Sequence, residues 1–276
     1  MRQIRRQSLH KIYIYISLIL ISLIIIYPVF LMLKISLIHP QSFYKPHKDL
    51  FIHEGGITVQ HWVSVYKSRL LWPSLKKSLN VATVTMIIAI LIAAPAAYVI
   101  SRIGKKWKYL CIISLFISRM FPEVGIALPV SIHFLRWNLI DTSTGLILAH
   151  LIKTLPYVAW ILIGTFEAIP RSLEEASFVD GAGKIKTLFA IILPVSLPGV
   201  SVAAMLVWLE SWNEFTYALY LTISENTLPL QTYYYVNRGS IFHSAAYATI
   251  ITIPVIFFTF LLQRYIKAGM LTGGIK

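Results

Sequence analysis

The residues of this sequence that could do chemistry are ionisable and amide side chains set inside apolar segments. Glu210, Asn213 and Glu214 stand at i, i+3 and i+4, so a helix through them carries all three on one face, and Leu206 and Tyr217 extend the stripe. Carboxylates and an amide beside aromatic rings suit hydroxyl-rich solutes, which need both hydrogen bonds and an apolar surface for their ring faces. Lys153 lies in a second apolar segment just before Pro156, and Arg119 and Glu123 lie in a third at a spacing that lets them pair. Each ionisable group in a membrane span costs about 2.5–3.5 kcal/mol on insertion scales, so such groups face a bundle interior or water. Plainer roles compete: Glu214 at the outer interface, Lys153 snorkelling outward, Asn80 as a helix-packing hydrogen bonder.

Other chemistries find no constellation. His133 and His150 are isolated on different segments, and neither His-Glu-x-x-His nor Gly-x-Ser-x-Gly occurs, so no enzyme is expected. His39, His47, His53 and His61 share one polar stretch without metal-ligand spacing, and no metal site is expected. Cys111 is the single cysteine and excludes an internal disulfide. No phosphate loop is present either. Gly183-Lys184 is followed by Ile185, with Phe178 where the first glycine belongs, and Gly104-Lys105 is followed by Lys106. The chain therefore carries no nucleotide site of its own.

The segments that must position these groups read as membrane spans. The 276 residues are 57% hydrophobic and 13% charged, with mean hydropathy +0.71, whereas soluble domains run near 45–50% and about 25%. Six spans are expected, at about 12–33, 80–100, 109–135, 144–166, 195–221 and 245–265, in one all-α polytopic domain. The net charge of +14 does not point to nucleic acid, because the basic residues gather between spans. Arg2, Arg5, Arg6 and Lys11, then Arg102, Lys105, Lys106 and Lys108, then Arg171, Lys184 and Lys186, then Arg264, Lys267 and Lys276 fall on one side, which places both termini in the cytoplasm. The first span reads as uncleaved. In the outer loop at 34–77, short surface helices are expected at 59–66 and 72–77.

The loop at 167–194 is a polar island between spans four and five. Ser172 with Glu175 makes a capping-box pattern, Glu174 and Glu175 suit a helix amino end, and Gly181 suits the left-handed residue that ends a helix. A helix at about 173–180 is expected, then a second helical stretch at 184–193 stopped by Pro194. A compact capped helix outside the bilayer is built to touch a partner.

Glu175-Ala176-Ser177, then Gly181, then Ile191-x-Leu193-Pro194, resembles the "EAA" signature of permease subunits in bacterial binding-protein-dependent ABC transporters, with Ser177 where a second alanine is usual. Leu155-Pro156-Tyr157, Trp212-Asn213-Glu214-Phe215 and Gly269-Met270-Leu271-Thr272-Gly273-Gly274 are similar to patterns of the sugar-importing branch, most like its maltose-type second permease. The resemblance implies that the island is a coupling helix inserting into an ATP-hydrolysing subunit through Glu174, Glu175, Ala176, Asp180, Gly181, Ile191, Leu193 and Pro194. It implies a sister permease, two ATP-binding subunits that hold ATP and Mg, an extracytoplasmic solute-binding protein and a carbohydrate as cargo. It places the chain in a bacterial or archaeal cytoplasmic (inner) membrane. The tail at 272–276 would reach toward the ATPase pair. Glu210, Asn213, Glu214, Tyr217 and Lys153 are the candidate pathway residues. The alternative is an ion-coupled secondary carrier using Lys153, Glu210 and Glu214, although no internal duplication is visible.

Overall fold

The computed structural model describes residues 2–43, 56–237 and 241–273, and nearly all of them are helical. His47, His53 and the end of the tail at 274–276 lie outside the described residues. In chain order the helices are α1 (Arg2–Ser36), α2 (Pro40–Phe43), α3 (Gln60–Lys67), α4 (Leu71–Arg102), α5 (Lys105–Ile117), α6 (Glu123–Arg136) and α7 (Ser143–Glu167). Next come α8 (Ser172–Val179), α9 (Lys184–Thr187), a π-turn (Leu188–Ile192), α10 (Leu193–Val195), α11 (Leu197–Trp212), α12 (Thr216–Leu221), α13 (Leu228–Asn237) and α14 (Ile241–Gly273).

Among the described residues, four stretches are long and apolar enough to cross a membrane: Lys11–Ser36, Leu71–Arg102, Ser143–Glu167 and Ile241–Leu261. A fifth is the bent pair Lys184–Val195 and Leu197–Trp212, turned by 84° at Ser196. The single span expected at 109–135 is instead α5 and α6, of 13 and 14 residues. Each rises only about 20 Å, short of the roughly 30 Å apolar layer. The break falls at 118–122, where Pro122 brings no N–H to continue the first helix and instead starts the second.

Three further expectations are corrected. The stretch at 72–77 is not a separate surface helix but the first turns of α4, which begins before the predicted span. Pro194 does not stop the helical stretch after the island. A π-turn precedes it, and the wider turn lets the chain pass a residue that cannot donate a backbone hydrogen bond. The expected span at 195–221 is interrupted at Asn213–Phe215, between α11 and α12.

The chain folds as two compact units. One is Met1–Leu71 with Thr232–Thr252. In it Trp62 Nε1 donates to Ser36 Oγ at 3.0 Å, His61 stacks on Phe242, and Ser68 Oγ lies 3.1 Å from the Tyr247 hydroxyl. The other is Trp72–Gln231 with Ile253–Lys276, organised around α7. In the apolar stretch of α7, 61% is buried, against none in α1, so α7 is the axial helix of its unit and α1 presents its apolar residues outward. Leu146, Val158, Leu162 and Phe166 of α7 are fully buried, and α7 packs against α11, α12, α5 and α6. At Gly199 a Cβ would overlap the Thr165 side chain, so only glycine allows α11 to approach α7 this closely.

Candidate functional site

Three groups of polar side chains stand out in the larger unit. The first surrounds α8. Gly181 has φ +80°, and the Gly181 and Ala182 amides donate to the Phe178 and Ser177 carbonyls, the two bonds of a Schellman ending. The capping box does not form. Arg171 is the N-cap, no side chain caps the helix, and Ser172 lies within the first turn. Glu174 is used differently. Its buried carboxylate accepts from Arg102 Nε at 2.6 Å and from the Tyr98 hydroxyl at 3.0 Å, both on α4. Ser177, also buried, shares a 2.6 Å hydrogen bond with Thr187 of α9. A hydroxyl in place of alanine thus joins α8 to α9. Glu174 and Ser177, one turn apart, face inward, while Glu175, Ala176, Phe178, Val179 and Asp180 face outward. Ile185 and Phe189 add exposed apolar surface, whereas Ile192 is wholly buried. Ile191 and Leu193 are half-buried and Pro194 is exposed.

The second group is a charge network. Lys153 Nζ of α7 lies 2.7 Å from Glu123 Oε1 of α6 and 3.2 Å from Glu210 Oε2 of α11. Arg119 reaches Glu210 at 3.9 Å and covers the Tyr157 ring at 5.5 Å. Arg119 and Glu123 therefore serve a shared cluster in addition to lying near each other in sequence. The α5–α6 break and the first residue of α6 supply Arg119 and Glu123, and α11 ends two residues beyond Glu210. Backbone that leaves a helix at membrane depth survives only inside protein or beside water.

The third group is buried. Glu214, only 3% exposed, accepts from the Tyr217 amide at 2.7 Å and the Ala218 amide at 3.1 Å, capping α12 with its carboxylate. Its Oε2 lies 3.2 Å from His150 Nε2, and His150 Nδ1 is 2.6 Å from Ser211 Oγ. The helix break turns Glu214 away from the face that holds Glu210, which separates two residues the sequence places on one stripe. Tyr217 is buried nearby with its ring 6.5 Å from His150, and Asn213 is exposed at the end of α11. Of the candidate pathway residues, Lys153 and Glu210 meet, Glu214 and Tyr217 are buried beside His150, and Asn213 is exposed. Of the three groups named for the ion-coupled alternative, Lys153 pairs with Glu210, and Glu214 lies against His150.

Sequence reading missed His150, Ser211, Tyr98 and Arg102 as partners. His150 and Arg102 are visible as an isolated histidine and a member of a basic cluster, but nothing local signals their mates. Asp141 was also missed. It accepts from the Ile223 and Ser224 amides and the Ser224 hydroxyl at 2.9, 3.1 and 2.5 Å. Partial burial works against its charge, but those hydrogen bonds and the nearby Lys77 prevail and hold the carboxyl below its usual range. Among the described residues no group of three or more His, Cys, Asp or Glu side chains could hold a metal.

Residues 85–272 match the family of binding-protein-dependent transport system inner membrane components. Over 99% of both chains the sequence is 31% identical to the trehalose/maltose transport system permease protein MalG of Thermococcus litoralis. It is 32% identical to the trehalose transport system permease protein SugB of Mycobacterium tuberculosis, over 83% of this chain and 86% of that one. Among solved structures, a bacterial ABC transporter involved in the import of the acidic polysaccharide alginate has the same fold. Its TM-score is 0.75, with 19% identity over 95% of this chain and 98% of that one.

Proposed function

This chain belongs to the family of binding-protein-dependent transport system inner membrane components, and from that premise we propose that it imports a carbohydrate as one permease of an ATP-driven transporter. It is a transport subunit, not an enzyme. The solute arrives on an extracytoplasmic binding protein, and a sister permease completes the pathway. The whole chain acts as one transmembrane domain of six spans with both termini in the cytoplasm; α5 and α6 together make one crossing, broken at Arg119. The network of Glu123, Lys153, Glu210 and Arg119 lines the aqueous route, with Asn213 at its edge.

The observation that carries the reading is the construction of α8. Its inner side is fixed to α4 through Glu174 and its outer side presents Glu175, Ala176, Phe178 and Val179. A helix so fixed moves with α4 and not independently of it. An ATP-binding subunit that grips the outer side would drive α4 directly, and two such subunits would hold the ATP and Mg this chain does not bind. Asp180, Gly181 and the segment Ile191, Leu193 and Pro194 complete the docking region. The test is co-purification of the complete transporter with Phe178→Asp and Val179→Asp, two changes on exposed positions. Loss of the ATP-binding subunits from a chain that still inserts and melts normally supports the reading. Their retention at wild-type stoichiometry overturns it.

A further inference from the structure

The helix α8 is tied to the rest of its unit on its inner side at two places. Glu174 holds it to α4, and Ser177 holds it to Thr187 at the end of α9. The second tie leads where the first does not. From Thr187 the π-turn and α10 carry the helical course on to Val195. The chain then bends by 84° at Ser196 into α11, which carries Glu210 of the charge network.

The stretch from Lys184 to Val195 is built as a strut. Leu188 and Ile192, four residues apart, are buried, and so is Ser196 at the bend. Hydrogen bonds span the bend: the Ser196 amide donates to the Ile192 carbonyl at 2.9 Å, and the Val200 amide to the Ser196 carbonyl at 3.0 Å. Just beyond, Gly199 lets α11 lie against Thr165 of α7. Backbone bonds and packing thus hold the far end of the strut.

The near end is different. The link between α8 and α9 contains Gly181 and Gly183, and a Cβ at either would meet no atom within 4 Å. Uncrowded glycine backbone bends easily. The Ser177–Thr187 bond crosses that link. Both side chains are buried, and their oxygens lie 2.6 Å apart. Thr187 Oγ1 donates to the Gly183 carbonyl at 3.1 Å, which commits its one hydrogen, so Ser177 Oγ donates to Thr187. The bond closes a ring through the link and is shielded from water that would compete for it. Alanine, usual at this position of the signature that the sequence resembles, could make no such bond.

We propose that Ser177 and Thr187 are a pair of positioning residues that make α9 turn with α8, so that movement of α8 reaches α11 and Glu210 as well as α4. The inference rests on the proposed function for the motor that moves α8. The stiffness of the joint does not depend on that motor and is measured without it.

The joint is tested first on the full chain in nanodiscs, without partner subunits. Cys111→Ser removes the native thiol, and spin labels on Glu175→Cys and Asn213→Cys, both exposed positions, report the distance from α8 to the end of α11. One narrow distance distribution is expected. Ser177→Ala should at least roughly double its width, whereas the exchange Ser177→Thr with Thr187→Ser, which keeps both hydroxyls and the total volume, should leave it narrow. An unchanged width in Ser177→Ala overturns the joint, as does equal broadening in an exchange variant that melts as wild type does. Transmission is then tested on the assembled transporter, with ATP hydrolysis and uptake of trehalose and maltose measured on the same proteoliposomes. Ser177→Ala should keep its ATP-binding subunits and its melting temperature but move about fivefold less solute per ATP, the equilibrium weight of one hydrogen bond. Solute moved per ATP within about twofold of wild type overturns the proposal. Absence of uptake or of bound ATP-binding subunits in the wild-type transporter counts against the permease reading itself, and the spin-label result then decides the joint alone.

Discussion

Replacing Glu174 with alanine removes a carboxylate that ties α8 to α4. It leaves the Arg102 guanidinium, on a side chain 16% exposed, without its counter-charge, and the Tyr98 hydroxyl without its acceptor. Hydrogen bonds to charged groups contribute about 1.5–3 kcal/mol, and stripping one partner from a buried pair costs about 3–5 kcal/mol. Arg102 keeps some solvent and a 3.4 Å contact to the Ile169 carbonyl, which favours the lower part of that range. The free energy for local opening of α8 should therefore fall by about 2–4 kcal/mol, or roughly 30- to 900-fold in amide exchange. Hydrogen-exchange mass spectrometry on the peptide 172–182, in nanodiscs, reads this directly. Glu174→Gln keeps an acceptor for Tyr98 but loses the charge, and should fall between wild type and alanine. In the assembled transporter, Glu174→Ala should lower sugar uptake more than it lowers ATP hydrolysis, because force is lost between α8 and α4. Exchange within about threefold of wild type would refute the brace.

Three further outcomes follow from the same geometry. Glu214→Ala strips the cap from α12 and leaves the buried Tyr217 and Ala218 amides without their acceptor, and should cost about 1–3 kcal/mol; a fall in the melting temperature in detergent checks this, with Glu214→Gln falling less. Lys153→Met leaves Glu123 and Glu210 without their shared cation and should reduce uptake at least about tenfold, while the swap Lys153→Glu with Glu210→Lys restores part of it by restoring the pair; vesicle uptake measures both. Asp141 has a folded value below its ordinary 3.8, so its contribution is complete above that value and is lost as pH falls through the lower folded one. The melting difference between wild type and Asp141→Asn should therefore stay constant from neutral pH to about pH 4.5 and shrink only in stronger acid.

Family membership and the helical class were legible in the residues because both are local properties. Apolar runs of span length, lysines and arginines between them, and the spacing from Glu175 through Gly181 to Pro194 are all properties of contiguous sequence. Gly181 takes the left-handed conformation expected of it because its own backbone demands it. The span at 144–166 closely matches α7, whose start is capped by the Thr142 side chain and whose helix continues through Lys153 and Pro156 to Glu167.

What the tertiary structure decided is every pairing of charge. Arg102 and Glu174 are separated by 72 residues, and His150 and Ser211 by 61. No periodicity joins them, because the choice of partner depends on which helix faces which. The breaks at 118–122 and at Asn213–Phe215 had the same effect. A continuous helix would have kept Glu210 and Glu214 on one face, but a kink rotates everything beyond it. It sends Glu210 to Lys153 and Glu214 to His150, because a carboxylate in an apolar bundle settles wherever a cation or unpaired amides can be reached. Sequence composition required these charges to find partners, and only the packing of the helices determined which ones.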